Sequence, residues 1–514
     1  MNPSLPAPEW FGVCSPMVVL SLGAVFLLLM GLGRSWEKRG VVAMAWGLLL
    51  VAGSMVIIRI LKPYIYTQQL PMGSMFVYDK FAAYFQHVFL FGFLLACVAV
   101  GFSRGGERRF ANIQVALLLF FCAAVTMLAT SADLIALYIS GEIAALVVYF
   151  LAAGPMEGED VFRDGRAFIK MGIASSALTL TGLVFLFGMS GSTDLWEISD
   201  KLQAVLFSGS EAASSAAHAK AAMVLALILF CSGLLMRMGS FPFQLWSERA
   251  YRHMRPSLAS MISLGLLGSS LAALSRILWI TFIRFSGDFS AKLPAAAVLS
   301  VLAVLTLAVG TWKMIRVRDF RTFMAFGSMV HAGFLLMGLA TMDREGIEAM
   351  MLYLAVYAAM SGGLLILFEG IETVSGESGL EAFEGLGRRS PAAAAAAAVF
   401  LFSLAGLPCT AGFPAKYGIF NALFINLHRG FRYLAFVGLA GCLIPAYIYG
   451  KLVFVMFFKP ANGQAPGGKE GRSDLLGHII IALFLAALLV AAGIYWRPLH
   501  RAATWAMMII EYEY

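Results

Sequence analysis

Residues 134–152 read Leu-Ile-Ala-Leu-Tyr-Ile-Ser-Gly-Glu-Ile-Ala-Ala-Leu-Val-Val-Tyr-Phe-Leu-Ala, an apolar run broken by Ser140 and by one carboxylate, Glu142. A run of this length crosses the hydrocarbon core as a helix, because lipid offers no partner for backbone N–H and C=O groups. Met17–Gly33, Ala116–Thr130, Leu293–Gly310 and Ile479–Tyr495 repeat the pattern. Across all 514 residues, 60% are hydrophobic and only 13% charged, with mean hydropathy +0.83. A soluble chain carries roughly a quarter charged residues. The fold class is therefore an all-α, polytopic membrane protein, with residues 1–514 forming a single integral membrane domain.

About fourteen spans are expected, with cores near 15–33, 41–61, 78–101, 112–130, 133–153, 167–189, 221–243, 256–283, 294–314, 320–341, 347–369, 391–413 (continuing to 424), 431–458 and 475–496. In the thirteenth, Pro445 and Lys451 are read as interruptions. Loops after odd-numbered spans carry basic clusters, among them Arg34–Arg39, Arg104–Arg109, Arg249–Arg255 and Lys313–Arg321. Those after even-numbered spans are poorer in Lys and Arg or balanced by acids, as in Asp194–Lys220 and Asp343–Glu348. The positive-inside rule then places the odd loops in the cytoplasm and both termini on the other side. Met1–Ser15 has no Lys or Arg. A cleaved signal peptide needs a positive start, so the first span is expected to be retained.

The composition also excludes chemistry. The six Cys residues form no Cys-x-x-Cys pair, and most lie in apolar runs, so they read as small core residues. Zinc, haem and iron–sulfur signatures, a phosphate-binding loop and a dinucleotide fingerprint are not found. The net charge of +8 is taken up by cytoplasmic loops and shows no basic–aromatic pattern for nucleic acid.

Two spans read as broken. One contains Leu235-Met-Arg-Met-Gly-Ser-Phe-Pro-Phe-Gln-Leu-Trp246, the other Leu404-Ala-Gly-Leu-Pro-Cys-Thr-Ala-Gly-Phe-Pro-Ala-Lys416. Pro242, Pro408 and Pro414 mark the expected breaks. Proline and glycine free backbone carbonyls, and irregular backbone survives at membrane depth only where it packs on protein or lines a polar cavity. The breaks fall in the seventh and twelfth spans, five apart, which is how a transporter repeat places its functional site. Ala392–Ala398 reads as a small-residue face for close helix approach.

An ionisable group at mid-bilayer costs about 2.5–3.5 kcal/mol on insertion scales, so a chain keeps one that pairs, faces water or works. Glu142 reads as a proton-binding carboxylate governed by a nearby cation, or as half of a structural ion pair. Arg237 adjoins the first break and supplies a fixed charge, since arginine does not deprotonate in proteins. Lys170 opens the sixth span and competes with a snorkelling interfacial lysine. His331, in mid-span, can pass a proton between its two nitrogens or bond a helix carbonyl as a core residue. A desolvated Lys416, after the second break, can release its proton. His87, Arg276, Glu369 and Lys451 read as interfacial anchors or local pairs.

Five regions carry a resemblance: Asp133-Leu-Ile-Ala-Leu-Tyr-Ile-Ser-Gly-Glu142; Ala167-Phe-Ile-Lys170; Phe241-Pro-Phe-Gln-Leu-Trp246; Asp319–Phe334; and Gly385–Pro391 followed by Ser403–Lys416. In this order, over about residues 110 to 425, they resemble the antiporter-like proton-channel subunits of respiratory complex I. The similarity is strongest to the subunit N branch of NADH–quinone oxidoreductase, since a sister subunit carries Glu where Lys416 stands. The resemblance implies two inverted five-helix repeats (about 110–283 and 294–458) with broken helices seven and twelve, flanked by helices within 15–101 and 475–496. It implies proton translocation driven by quinone reduction in a neighbouring module. NAD, FMN, iron–sulfur clusters and quinone would sit on partner subunits, with none on this chain. The implied partners are other antiporter-like and small membrane subunits and a peripheral redox arm, in a bacterial-type inner membrane. Glu142 and Arg237 would form the first half-channel with Lys170 modulating it, His331 would lie on the central axis, and Lys416 at the outer half-channel.

The chain departs from the family at three places. Arg237 replaces a lysine. The lysine expected about ten residues after Pro256 is missing from Ser263-Leu-Gly-Leu-Leu-Gly268. The loop before it is altered to Glu248-Arg-Ala-Tyr-Arg-His-Met-Arg-Pro256. The expected row of ionisable groups is thus interrupted between Arg237 and His331, where polar residues and water would have to bridge. A cation/proton antiporter or membrane-bound hydrogenase subunit of the same fold, and a scaffold subunit with impaired pumping, stand as alternatives.

Overall fold

A computed structural model describes residues 8–31, 46–47, 49–50, 53–55, 75–77, 79–101, 111–152, 159–207, 213–243, 245–280, 289–426, 429–460 and 468–512. Among them the regular elements are helices: α1 (Pro8–Gly31), α2 (Lys80–Gly101), α3 (Ala111–Thr130), α4 (Leu134–Ala152), α5 (Glu159–Ser190), α6 (Leu195–Phe207), α7 (Ala213–Arg237), α8 (Leu245–His253) and α9 (Pro256–Leu278). They continue as α10 (Phe289–Met314), α11 (Phe320–Ala340), α12 (Arg344–Ser375), α13 (Leu386–Arg389), α14 (Pro391–Ala405), α15 (Gly412–Ile425), α16 (Arg429–Phe458), α17 (Gly468–Ile494) and α18 (Arg497–Tyr512). Ten of the described helices are long and apolar enough to cross a membrane, and Pro16–Leu29, Val224–Arg237 and Pro391–Ala405 are shorter apolar pieces. Every expected span except 41–61 meets one of these; 41–61 lies largely outside the described residues, as do the clusters Arg34–Arg39 and Arg104–Arg109.

Helix α4 shows how an almost wholly apolar segment chooses its faces. Ile135, Ile139, Ile143, Leu146 and Phe150 recur at helical spacing and lie exposed, as lipid-facing side chains do. Ala136, Leu137, Ser140, Gly141 and Ala144 face inward. Helix α9 differs, because every residue from Pro256 to Leu278 is buried, six serines included. It is the centre of the molecule, packed on α2, α3 and α12. The alanine run behaves as its composition suggests: Ala393, Ala394, Ala396, Ala397 and Ala398 of α14 are buried against α12, α16 and α17.

Helix α9 is held at both ends by buried ion pairs. Arg276 in its last turn donates to Asp79 at 2.9 and 3.1 Å and to the Ala129 carbonyl at 3.1 Å. At its start, Glu369 accepts from the Ser257 N–H at 2.9 Å and from Arg255 Nε at 3.1 Å. An acid at a helix N-terminus and a base at its C-terminus also suit the helix dipole. The reading of Arg276 and Glu369 as anchors or local pairs is therefore corrected: their partners lie far away in sequence and the pairs are buried. His87 does stay local, bonding the Ala83 carbonyl of its own helix at 2.6 Å, and Lys451 is exposed.

Three further readings change. Pro445 does not interrupt the thirteenth span, since α16 runs continuously through it. Pro414 is not at a break but in the first turn of α15, where its missing N–H is one of the donors a helix leaves unpaired anyway. Amphipathic helix α6 lies within Asp194–Lys220, read as a loop, and a further amphipathic helix, α18, follows the last expected span. Ala503, Ala506 and Met507 bury α18 on the body, and Thr504 donates to Glu348 at 2.9 Å.

Candidate functional site

The first break lies where the sequence puts it. Helix α7 ends at Arg237, Gly239 turns the chain at φ +72°, and α8 resumes at Leu245. Pro242 sits in the turn between. The freed polar groups find new partners: Ser240 Oγ donates to the Leu235 carbonyl at 2.8 Å, and the Phe241 N–H donates to Thr306 Oγ1 of α10 at 3.1 Å. Arg237 points from the helix end across α4. Its Nη2 donates to Glu142 Oε1. The guanidinium occupies the space over Gly141 that a Cβ would fill. The Arg237 side chain is 7% exposed and that of Glu142 28%. Glu142 is thus the partner of a buried ion pair and keeps part of its own side chain exposed.

Arg237 lies between two small cavities. One, with about 30 Å³ open to a water centre, is bounded by Tyr149, Ser175 and Leu266. The other, about 20 Å³, is bounded by Tyr251, Ser263 and Ser328, and again Leu266. Each can hold a water molecule. Arg237 Nη1 is buried and has no hydrogen-bond partner among the described residues. A buried orphan donor beside such a space is a water site by its chemistry.

Three of the residues lining the second cavity form, with Tyr357, a cluster of four hydroxyls that the sequence reading did not single out. Tyr357 OH donates to Ser328 Oγ at 2.7 Å, and Ser263 Oγ donates to the same oxygen at 3.2 Å. Tyr251 OH lies 3.1 Å from Ser328 Oγ, and Tyr357 OH lies 3.3 Å from Ser263 Oγ. Ser328 in turn donates to the Met324 carbonyl at 2.9 Å. The cluster joins α8, α9, α11 and α12 where the row of charges was expected to be interrupted.

His331 comes one helical turn after Ser328, with its ring 5.2 Å from that of Tyr357. It is buried, and it bonds hydroxyls rather than the helix carbonyl of the bland reading. Its Nδ1 lies 2.7 Å from Tyr353 OH and its Nε2 3.4 Å from Tyr449 OH. Both ring nitrogens therefore have exchangeable partners, as proton transfer through an imidazole requires.

The second break spans residues 406–411, with Pro408 in its turn and left-handed Gly406 (φ +85°) and Cys409 (φ +67°) beside it. It frees the last carbonyls of α14, and Lys416 Nζ donates to two of them, Leu404 at 2.8 Å and Ala405 at 3.0 Å. A helix C-terminus favours a cation. The ammonium also sits 4.9 Å from the centre of the Phe334 ring, one turn beyond His331 on α11. A Cβ on Gly406 would lie 2.8 Å from Lys416 Cδ, so glycine is needed both for its backbone angle and for the lysine stem.

The structure thus pairs Glu142 with Arg237 at the first break, sets Arg237 on a cavity that Ser328 of the His331 helix also lines, and places Phe334 of that same helix against Lys416 at the second break. Lys170 stands apart, exposed on α5. Among the described residues no group of three or more His, Cys, Asp or Glu is arranged to hold a metal ion.

A family model described as NADH:quinone oxidoreductase/Mrp antiporter, TM, matches residues 131–441, which contain all of these groups. NADH-quinone oxidoreductase subunit N of Anaeromyxobacter sp. (strain Fw109-5) is 28% identical over 98% of this chain and 96% of that protein. In fold, the chain is similar to one in respiratory complex I from Thermus thermophilus with bound Aureothin, with TM-score 0.73, 22% identity and coverage of 95% and 99%. It is similar also to a chain of the Mrp complex from Dietzia sp., with TM-score 0.79, 19% identity and 98% coverage of each. The match to more than half of its length makes this chain a member of the NADH:quinone oxidoreductase/Mrp antiporter membrane-subunit family.

Proposed function

We propose that this chain is a proton-translocating membrane subunit of an NADH–quinone oxidoreductase. The observation that carries the reading is the placement of ionisable groups at both helix breaks: Arg237 with Glu142 at the first, Lys416 on freed carbonyls at the second. Glu142 holds and releases a proton beside the fixed charge of Arg237. His331 passes it along the centre, and Lys416 releases one at the far half-channel. Charge moves in one row because each of these groups changes the field at the next. Lys170, on the exposed face of α5, acts on the pair only through its field. Electron transfer, with NAD, FMN, iron–sulfur clusters and quinone, belongs to partner subunits.

Repeats at about 110–283 and 294–458 are supported by a matched pattern. Asp133 accepts from the Ala136 N–H at the start of α4, and Asp319 from the Thr322 N–H at the start of α11. Glu142 and Ser328 stand at the same offset from these two caps. The basic odd loops support a bacterial-type inner membrane with both termini on the non-cytoplasmic side. Affinity purification of the tagged chain from native membranes tests the assembly. Flavin and iron–sulfur subunits are expected in the isolate. Only small membrane subunits, or a nickel enzyme, would move the assignment to an antiporter or hydrogenase.

A further inference from the structure

The middle of the row holds no ionisable base. The family's eighth-span lysine would stand about ten residues after Pro256, and Leu266 at that distance lines both cavities beside Arg237. What the structure offers instead is the cluster of Tyr251, Ser263, Ser328 and Tyr357. It reaches from the Arg237 cavity to Tyr357, whose ring packs 5.2 Å from that of His331, while the two His331 nitrogens bond Tyr353 and Tyr449. We propose that these four hydroxyls replace the lysine and relay protons between the Arg237 cavity and His331. The proposal rests on the proton-translocation reading above.

The chemistry differs from that of a lysine. An ammonium group donates only, and must lose its proton before it can accept another. A hydroxyl carries a donor and acceptor lone pairs on one oxygen. Ser328 Oγ turns its proton from the Met324 carbonyl to a neighbouring hydroxyl oxygen. At each oxygen in the relay, one O–H bond forms to the incoming proton as the resident O–H bond passes its proton to the next oxygen, and one bridging water carries the last transfer from Tyr357 to a His331 nitrogen. The hydroxyls are neutral before and after, one proton has crossed, and rotation of the hydroxyls resets the chain. Ser328 is the hub, since the other three oxygens all lie within 3.2 Å of it or are bonded to one that does. The relay therefore has no resting charge between Arg237 and His331. Protons are stored only beyond it, at Glu142 beside the fixed charge of Arg237 and at His331.

Variants of the hub decide between relay and packing. The assay is protons moved per electron by the purified complex in liposomes. Ser328→Ala and Tyr357→Phe each remove one oxygen and add nothing. Both are expected to slow proton transfer through this chain about a hundredfold or more, the scale of losing one positioned proton-transfer group, and so to remove this chain's share of the protons moved per electron. Ser328→Thr keeps the hydroxyl but adds a methyl in a packed place, and is expected to retain pumping. A packing role predicts the opposite order, with threonine worse than alanine. That order, or normal pumping in Tyr357→Phe, overturns the relay. Glu142→Gln separates the two levels of the claim. If it stops pumping and the hub variants do not, the relay alone is wrong. If it also pumps normally, the translocation reading fails with it.

Discussion

Removing either half of the Glu142–Arg237 pair should have unequal consequences, because the two sides are unequally buried. In Glu142→Gln the guanidinium, 7% exposed, loses its counter-charge while its Nη1 already lacks a partner among the described residues. An uncompensated buried charge costs about 3–5 kcal/mol. The glutamine oxygen still accepts one hydrogen bond, which returns about 1 kcal/mol. The expected loss is then about 2–4 kcal/mol. In Arg237→Met the charge left behind is a carboxylate with 28% of its side chain exposed, which water can reach. That variant should lose only about 1–2 kcal/mol, as for a partly solvated group. The double variant leaves no charge and should come close to wild type. Thermal dissociation of this subunit from the detergent-solubilised complex reads the order: wild type, double variant, Arg237→Met, Glu142→Gln. A double variant worse than both singles, or Arg237→Met as the least stable, would refute the reasoning.

Other expectations follow from local geometry. Gly406→Ala places a Cβ 2.8 Å from Lys416 Cδ and forces a left-handed backbone, costing about 1–2 kcal/mol. By moving the ammonium off its carbonyls it should reduce proton movement as Lys416→Ala does, measured in liposomes. Arg276→Met strands Asp79 in the interior at about 3–5 kcal/mol. Subunit levels in membranes should fall, and adding Asp79→Asn should restore them. Lys170→Ala, on an exposed face, should change the pumping rate less than Glu142→Gln, read in the same vesicle assay.

The helical fold and both breaks were legible because their signals are local: an apolar run of spanning length, and a Gly-Pro interruption beside a base. Glu142, Arg237, His331 and Lys416 were legible for the same reason, since each is costly in an apolar run. The partners of those groups were not. Arg276 meets Asp79 and Arg255 meets Glu369 only through tertiary packing across distant helices. The hydroxyl hub was missed because each member alone is an ordinary buried Tyr or Ser, and four helices must assemble before they touch. One signal was available: the serines of α9, repeated through an apolar segment, fit a helix with no lipid-facing side. Helix α18 was hidden because hydropathy averaging finds spans, whereas its polar and apolar residues are interleaved.

The central claim is that protons cross this chain through its buried row. The most direct test is the ratio of protons moved to electrons transferred by the purified complex in sealed liposomes, with Glu142→Gln and Lys416→Ala compared with wild type. The account predicts that both variants still transfer electrons to quinone and move fewer protons for each one. An unchanged ratio in both would contradict it and leave this chain a scaffold.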